Sequence, residues 1–177
     1  MLARLRPVLP HAHFAVTATT RAPRPNEEDG IDYYFVSEPE FKRMVARGEM
    51  LEHALVYGDH KGVPKARVRE ALAAGQDVLM RTDVQGARHI KSVVPGAITI
   101  FVTVPSLAEL TTRLLERGAD SKEQAELRVR IATSEMERSG EFDYTVVNDD
   151  LDRCVAEVRG ILERERAKPA RLGPAVR

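Results

Sequence analysis

A single cysteine, Cys154, excludes an internal disulfide and fits a reducing compartment. It lies between apolar positions of a late helical stretch, where core packing is the expected role. A charge excess of either sign is also missing. Lys+Arg and Asp+Glu each number 27, so no polyanion-binding surface is advertised, and nucleic acid is not an expected partner. No apolar run approaches the roughly 20 residues of a membrane helix, so no membrane association is expected. The opening MLARLRPVLPHAHF carries prolines and lacks the continuous apolar segment of a secretory signal, which makes the cytoplasm the expected location. Internal repeats and low-complexity blocks are absent.

What remains is an ordinary soluble composition: 177 residues, 43% hydrophobic and 31% charged. That length supports one domain with a real core and a small inserted subdomain. Residues 1–10 read as the tail of a helix, although nothing caps its start. FAVTA (14–18) is a short apolar strand leading into TTRAPRPNEEDG, a proline- and charge-rich loop closed by the Asp29-Gly30 turn. A strand at 33–36, a helix at 38–47 ending at Gly48, and a strand at 51–57 follow. Gly58, Gly62 and Pro64 mark the next segment as loop.

A helix is expected from Lys65 to Ala74, then a buried strand at 77–83 and a short helix from Val84. AITIFVTV (97–104) is the strongest β signal, a continuous run suited to burial on both faces. Helices at 106–117 and 121–138, a strand at 144–147 and an amphipathic helix from Asp150 to about Ala167 complete the chain, with a disordered tail at 168–177. Strands alternating with helices imply an α/β fold around a parallel sheet.

Five residues or groups of residues carry chemistry. Arg21 and Arg24 stand three apart in a proline-stiffened loop just after a strand, with Thr17 beside them. Guanidinium forks donate paired hydrogen bonds to phosphate oxygens, and a stiffened loop loses less entropy on binding; a solvated surface loop is the competing reading. Tyr33 follows the Asp29-Gly30 turn and offers a neutral hydroxyl donor, or simply packs. Glu52 lies in an apolar strand, where an unpaired carboxylate is costly unless it points outward or meets a ligand. Guanine offers it N1–H and a 2-amino group, a donor pair that adenine lacks. Asp83 ends a strand at the position where ligands collect in open α/β sheets, and it is equally placed to cap the next helix. Arg113, Arg117 and Arg128 flank Gly118-Ala119-Asp120, either as a mobile cationic lid or as solvated helix faces.

In order, TATTRAPRP, DGIDYYFVS, GEMLEHALVYG, AGQDVLMRTDVQGAR, RLLERGAD and FDYTVVNDDL resemble the guanylate kinase family over about residues 1–165. The resemblance implies transfer of the ATP γ-phosphoryl group to GMP with Mg²⁺. It implies a P-loop-kinase-like parallel core over residues 1–167, with a GMP-binding subdomain at about 30–80 and a helical lid at about 113–138. It places the GMP phosphate on Thr17, Arg21, Arg24 and Tyr33, the guanine on Glu52, and the site aspartate at Asp83. Arg117 and Arg128 fall on its lid arginines, and Asn148 on its stretch beside adenine.

The sequence departs from that pattern in several places. It contains no Gly-Lys dipeptide, hence no GxxxxGK[ST] loop to cradle ATP phosphates, and LARLRPVLP matches only the end of the helix that follows such a loop. The family's first strand is therefore expected to be missing from the middle of the sheet, and kinase activity of the chain as written is expected to be negligible. Lys61 stands where a tyrosine is usual, Val63 replaces a hydroxyl residue before Pro64, and Arg81 replaces an acidic residue before Asp83. Lys61 still offers a phosphate a point charge. Three readings follow. One is a guanylate kinase whose start lies upstream of Met1; another is a non-catalytic module holding GMP or a phosphorylated partner; the last is a remnant. The first is preferred, because Arg21, Arg24, Tyr33, Glu52 and Asp83 are all present.

Overall fold

The computed structural model describes residues 1–56, 58–116 and 122–168. Its described residues divide into two compact units, one of residues 9–97 and one of residues 1–8 and 98–168. Of the tail expected at 168–177, Lys168 is described, its Nζ donating to Glu165 at 2.5 Å, and residues 169–177 lie outside the described residues.

In residues 9–97 the chain enters through β1 (His13–Phe14), parallel to β6 (Val78–Leu79). The single strand predicted over 14–18 is in fact split. The Ala15 amide still donates to Leu79 O at 2.9 Å, and β2 (Thr17–Thr19) then joins a different sheet. Among the described residues that sheet runs β3-β2-β5-β4: β3 (Tyr33–Phe35) is parallel to β2, and β5 (Asp59–Pro64) is antiparallel to β2 and to β4 (Met50–Val56).

Strand β5 corrects the predicted loop at 58–64. Gly62 punctuates nothing; it sits within the strand because a Cβ there would lie 2.8 Å from Glu52 O and 3.1 Å from Phe41 Cζ. The predicted strand at 77–83 is also shorter than expected, since ladder pairing covers Val78 and Leu79 alone.

Helix α2 (Glu38–Ala46) starts where the Ser37 hydroxyl accepts from the Glu40 amide. It stops before Gly48, whose φ of 66° no β-branched residue adopts cheaply. Helices α3 (Lys65–Ala73) and α4 (Val84–Val93) follow as predicted. Leu51, Val63, Val68 and Val94 form one apolar cluster; Ala18, Phe41 and Met50 form a second. Each fully buried Val, Leu or Phe contributes about 1.5–3 kcal/mol, so these clusters hold the sheet against its helices.

The other unit holds α1 (Leu2–Val8), β7 (Ile100–Thr103), α5 (Leu107–Glu116), α6 (Lys122–Glu137), β8 (Tyr144–Val147) and α7 (Leu151–Arg166). Strands β7 and β8 are parallel in register Ile100↔Tyr144 to Thr103↔Val147. Burial of the 97–104 run on both faces is not what the structure has: all four residues of β7 are half-buried, and among the described residues β8 is its only strand partner. Cys154 is buried with Val155, Val158 and Ile161 on α7, as its sequence setting predicts. The uncapped α1 is held by tertiary contact instead of a cap. Leu5 is buried, Arg4 pairs with Asp152 at 3.8 Å, and Cys154 Sγ lies 3.8 Å from Met1 Sδ. Parallel strand pairs alternating with helices give the α/β class expected from the sequence.

Candidate functional site

The cationic loop is ordered by one carboxylate. Glu27 accepts from Arg21 Nη2 through both oxygens, at 2.8 and 2.9 Å, and from the Arg24 amide at 2.7 Å. The Arg24 N–H, with help from the Arg21 guanidinium, holds the Glu27 carboxyl below the usual glutamate range. The hydroxyl of buried Thr19 accepts from the Arg21 amide at 3.3 Å, anchoring the loop to β2. Parallel pairing of β2 with β3 sets Thr17 opposite Tyr33. The Arg21 guanidinium lies over the Tyr33 ring, 5.3 Å from its centroid. Tyr33 Oη also accepts from Arg81 Nη2 at 2.9 Å. Lys61 enters from β5, in register with Thr19 and Ala54. Of the predicted anion ligands, Arg21 and Tyr33 therefore meet directly and Arg24 joins through Glu27, while Thr17 and Lys61 are placed by strand register.

Glu52 occupies a different setting. It is half-buried on β4, opposite Val63, and faces the N-terminus of α4. Burial raises its carboxyl above the ordinary glutamate value and the nearby Asp83 charge adds to the rise, whereas the Thr82 hydroxyl opposes both by hydrogen bonding. Asp83 Oδ1 accepts from the Gly86 amide at 2.8 Å, so the helix-cap role weighed for it is realised. A Cβ at Gly86 would overlap Thr82 Oγ1 and lie 2.9 Å from Glu52 Oε1. Helix α4 approaches the carboxylate this closely only because that side chain is absent. Val63 is 2% exposed and committed to packing, in keeping with its lack of a hydroxyl.

Together these features put a half-buried carboxylate acceptor and a cluster of guanidinium and phenol donors inside one compact unit. A ligand joining an anionic group to a cyclic N–H and an adjacent amino group matches that donor–acceptor set. Sequence reasoning missed Glu27, Thr82 and Gly86 as parts of the site. Glu27 follows Arg24 by three residues, a local signal that was available; the Thr82 and Gly86 contacts to Glu52 are long-range and left none.

In the other unit, Arg113 Nε donates to Glu109 at 2.8 Å and its Nη1 to the Asn148 carbonyl at 2.8 Å. The Asn148 amide donates to Thr103 O at 2.8 Å, which fixes the backbone at the end of β8. Arg128 is half-buried on α6, and Arg117 lies outside the described residues. Among the described residues no group of three His, Cys, Asp or Glu side chains is placed to hold a metal ion, and no helix is long and apolar enough to cross a membrane.

A family pattern described as guanylate kinase matches residues 7–165. The chain is 43% identical over 160 residues to a guanylate kinase of Alkalilimnicola ehrlichii, covering 90% of this chain and 79% of that protein. It is 45% identical over 163 residues to a guanylate kinase of Thermus thermophilus, covering 92% of this chain and 74% of its relative. The crystal structure of guanylate kinase from Anaplasma phagocytophilum superposes with a TM-score of 0.80 at 31% identity, covering 94% of this chain and 83% of that one.

Proposed function

The chain belongs to the guanylate kinase family, and from that membership we infer that its reaction is transfer of the ATP γ-phosphoryl group to GMP, giving ADP and GDP. A GMP phosphate oxygen forms the new bond to the γ-phosphorus as the bond to the β–γ bridging oxygen breaks, and ADP leaves with that electron pair. We assign GMP binding to the subdomain at about 30–80 with the flanking strand and loop, and the lid to about 113–138. Cytoplasmic location stays part of this reading.

The observation that carries the assignment is Glu52: a half-buried carboxylate with a hydroxyl donor from Thr82 and room made by Gly86. Ionised, it accepts from guanine N1–H and the 2-amino group; adenine lacks that donor pair and would leave the carboxylate acceptor unpaired, so base choice follows from an unpaired-acceptor penalty against adenine. At the anion end Thr17, Arg21, Arg24, Tyr33 and Lys61 receive the phosphate. There Arg21, already paired with Glu27 and stacked on Tyr33, is pre-ordered for the task. Asp83 borders the guanine side through its cap on α4. Arg117 and Arg128 are assigned to charge stabilisation on the transferring group, and Asn148 to the adenine side of ATP. Mg²⁺ would accompany ATP and neutralise charge on its phosphates during transfer.

One sequence fact favours a second reading alongside this one. The 177 residues contain no GxxxxGK[ST] loop, so the amide cradle and lysine that position ATP are not among them, and the reading that remains is a module that binds GMP without turnover. Turnover with GMP and MgATP, measured beside GMP binding, separates the two. Binding without turnover supports the module reading for this chain; turnover supports the enzyme reading; absence of both refutes the site assignment.

A further inference from the structure

We propose that Arg81 is a phosphate-positioning residue of the GMP subsite, acting on the nucleotide's 5′-phosphate through Tyr33 and by its own charge. The inference rests on the GMP reading above and adds a residue which that reading leaves unassigned.

Arg81 Nη2 donates to Tyr33 Oη at 2.9 Å, across 48 residues of sequence. A phenol oxygen that accepts from a guanidinium keeps its own proton free to donate, and the accepted bond polarises that O–H. Tyr33 is thereby fixed as a donor at its outer end while Arg21 lies over its ring at 5.3 Å. A phosphate oxygen accepting from Tyr33 at hydrogen-bonding distance lies within about 6 Å of Arg81 Nη2, the sum of two such bonds. At that range the second cation favours a doubly charged phosphate over a neutral group.

The arrangement differs from that of Arg21. Arg21 spends its Nη2 on Glu27, so part of its charge is already answered by a carboxylate. Among the described residues Arg81 has the Tyr33 hydroxyl, a neutral group, as its hydrogen-bond partner and no carboxylate in ion-pair range. Its charge therefore remains available to the phosphate.

The test compares GMP with guanosine, which keeps the base and ribose and lacks the phosphate. Both are titrated calorimetrically into the full chain carrying Arg81→Ala, Arg81→Lys, Tyr33→Phe or the Arg81→Ala/Tyr33→Phe pair. Arg81→Ala is expected to weaken GMP about tenfold, as loss of a charge-assisted contact does, and to leave guanosine unchanged. Arg81→Lys restores part of the loss, and the double variant loses less than the product of the two singles. An unchanged ratio of GMP to guanosine affinity in Arg81→Ala and Arg81→Lys, with the unsubstituted chain binding GMP, overturns this inference alone. Failure of the unsubstituted chain to bind GMP overturns the GMP reading with it.

Discussion

At the scale of single residues, the site is legible where side-chain chemistry is unusual for its surroundings. A glutamate in LEHAL contradicts the apolar strand around it, and the structure shows the consequence as a carboxyl raised by burial and by Asp83. Its folded value lies above its unfolded one, so the ionised form costs stability. That cost is absent below the ordinary glutamate value and is felt in full above the raised one. Glu52→Gln should therefore raise the melting temperature of the ligand-free chain at neutral pH, while weakening GMP and erasing its preference over AMP. Calorimetric melting and titration of the same variant check both halves; a lower melting temperature, or retained selectivity, contradicts them. Guanosine affinity should also fall as pH drops through the raised value, because a protonated carboxyl loses one acceptor. A flat acid limb from the unsubstituted chain would argue against the role. Glu27 carries the opposite sign. Its depressed carboxyl contributes stability above the ordinary glutamate value that is lost as pH falls through the lower one, so Glu27→Gln should flatten the acid end of the stability curve.

At the scale of elements, reading failed where glycine was taken as punctuation. Helices α2, α3, α4 and α7 were visible because periodic apolar residues end at Gly48 or Gly75 or begin at Asp83 or Asp150. Strand β5 was hidden, since Gly62 is there for backbone approach and Pro64 closes the strand. The split of 14–18 between two sheets was hidden as well, because pairing partners far along the chain decide it. Gly62→Ala should destabilise the chain by about 1–3 kcal/mol, because its Cβ would meet the Glu52 backbone oxygen at 2.8 Å. A denaturant midpoint checks this, and an unchanged midpoint would refute the packing argument. Hydrogen exchange offers a second check: amides of β4 and β5 should be protected more than those of the two-residue β1–β6 pair. Equal protection would mean that ladder length does not set local stability here.

At the scale of the whole molecule, every residue assigned to GMP falls within one compact unit, residues 9–97, and Arg113, Arg128 and Asn148 fall in the other. The family was legible in the order of six motifs spread over the chain, none of them specific alone. The contacts that build the site were not legible, because Arg81 to Tyr33 and Glu52 to Thr82 each join distant segments. A unit that holds both the base acceptor and the phosphate donors should bind GMP whether or not ATP is positioned. The measurement that goes most directly to this is calorimetric titration of the unmodified 177-residue chain with GMP and, separately, with AMP. Saturable GMP binding at least tenfold tighter than AMP, a margin of about 1.4 kcal/mol, is the expected result. Equal affinities, or no heat with either nucleotide, would mean that Glu52 and the Arg21–Tyr33–Arg81 group do not form a guanylate site.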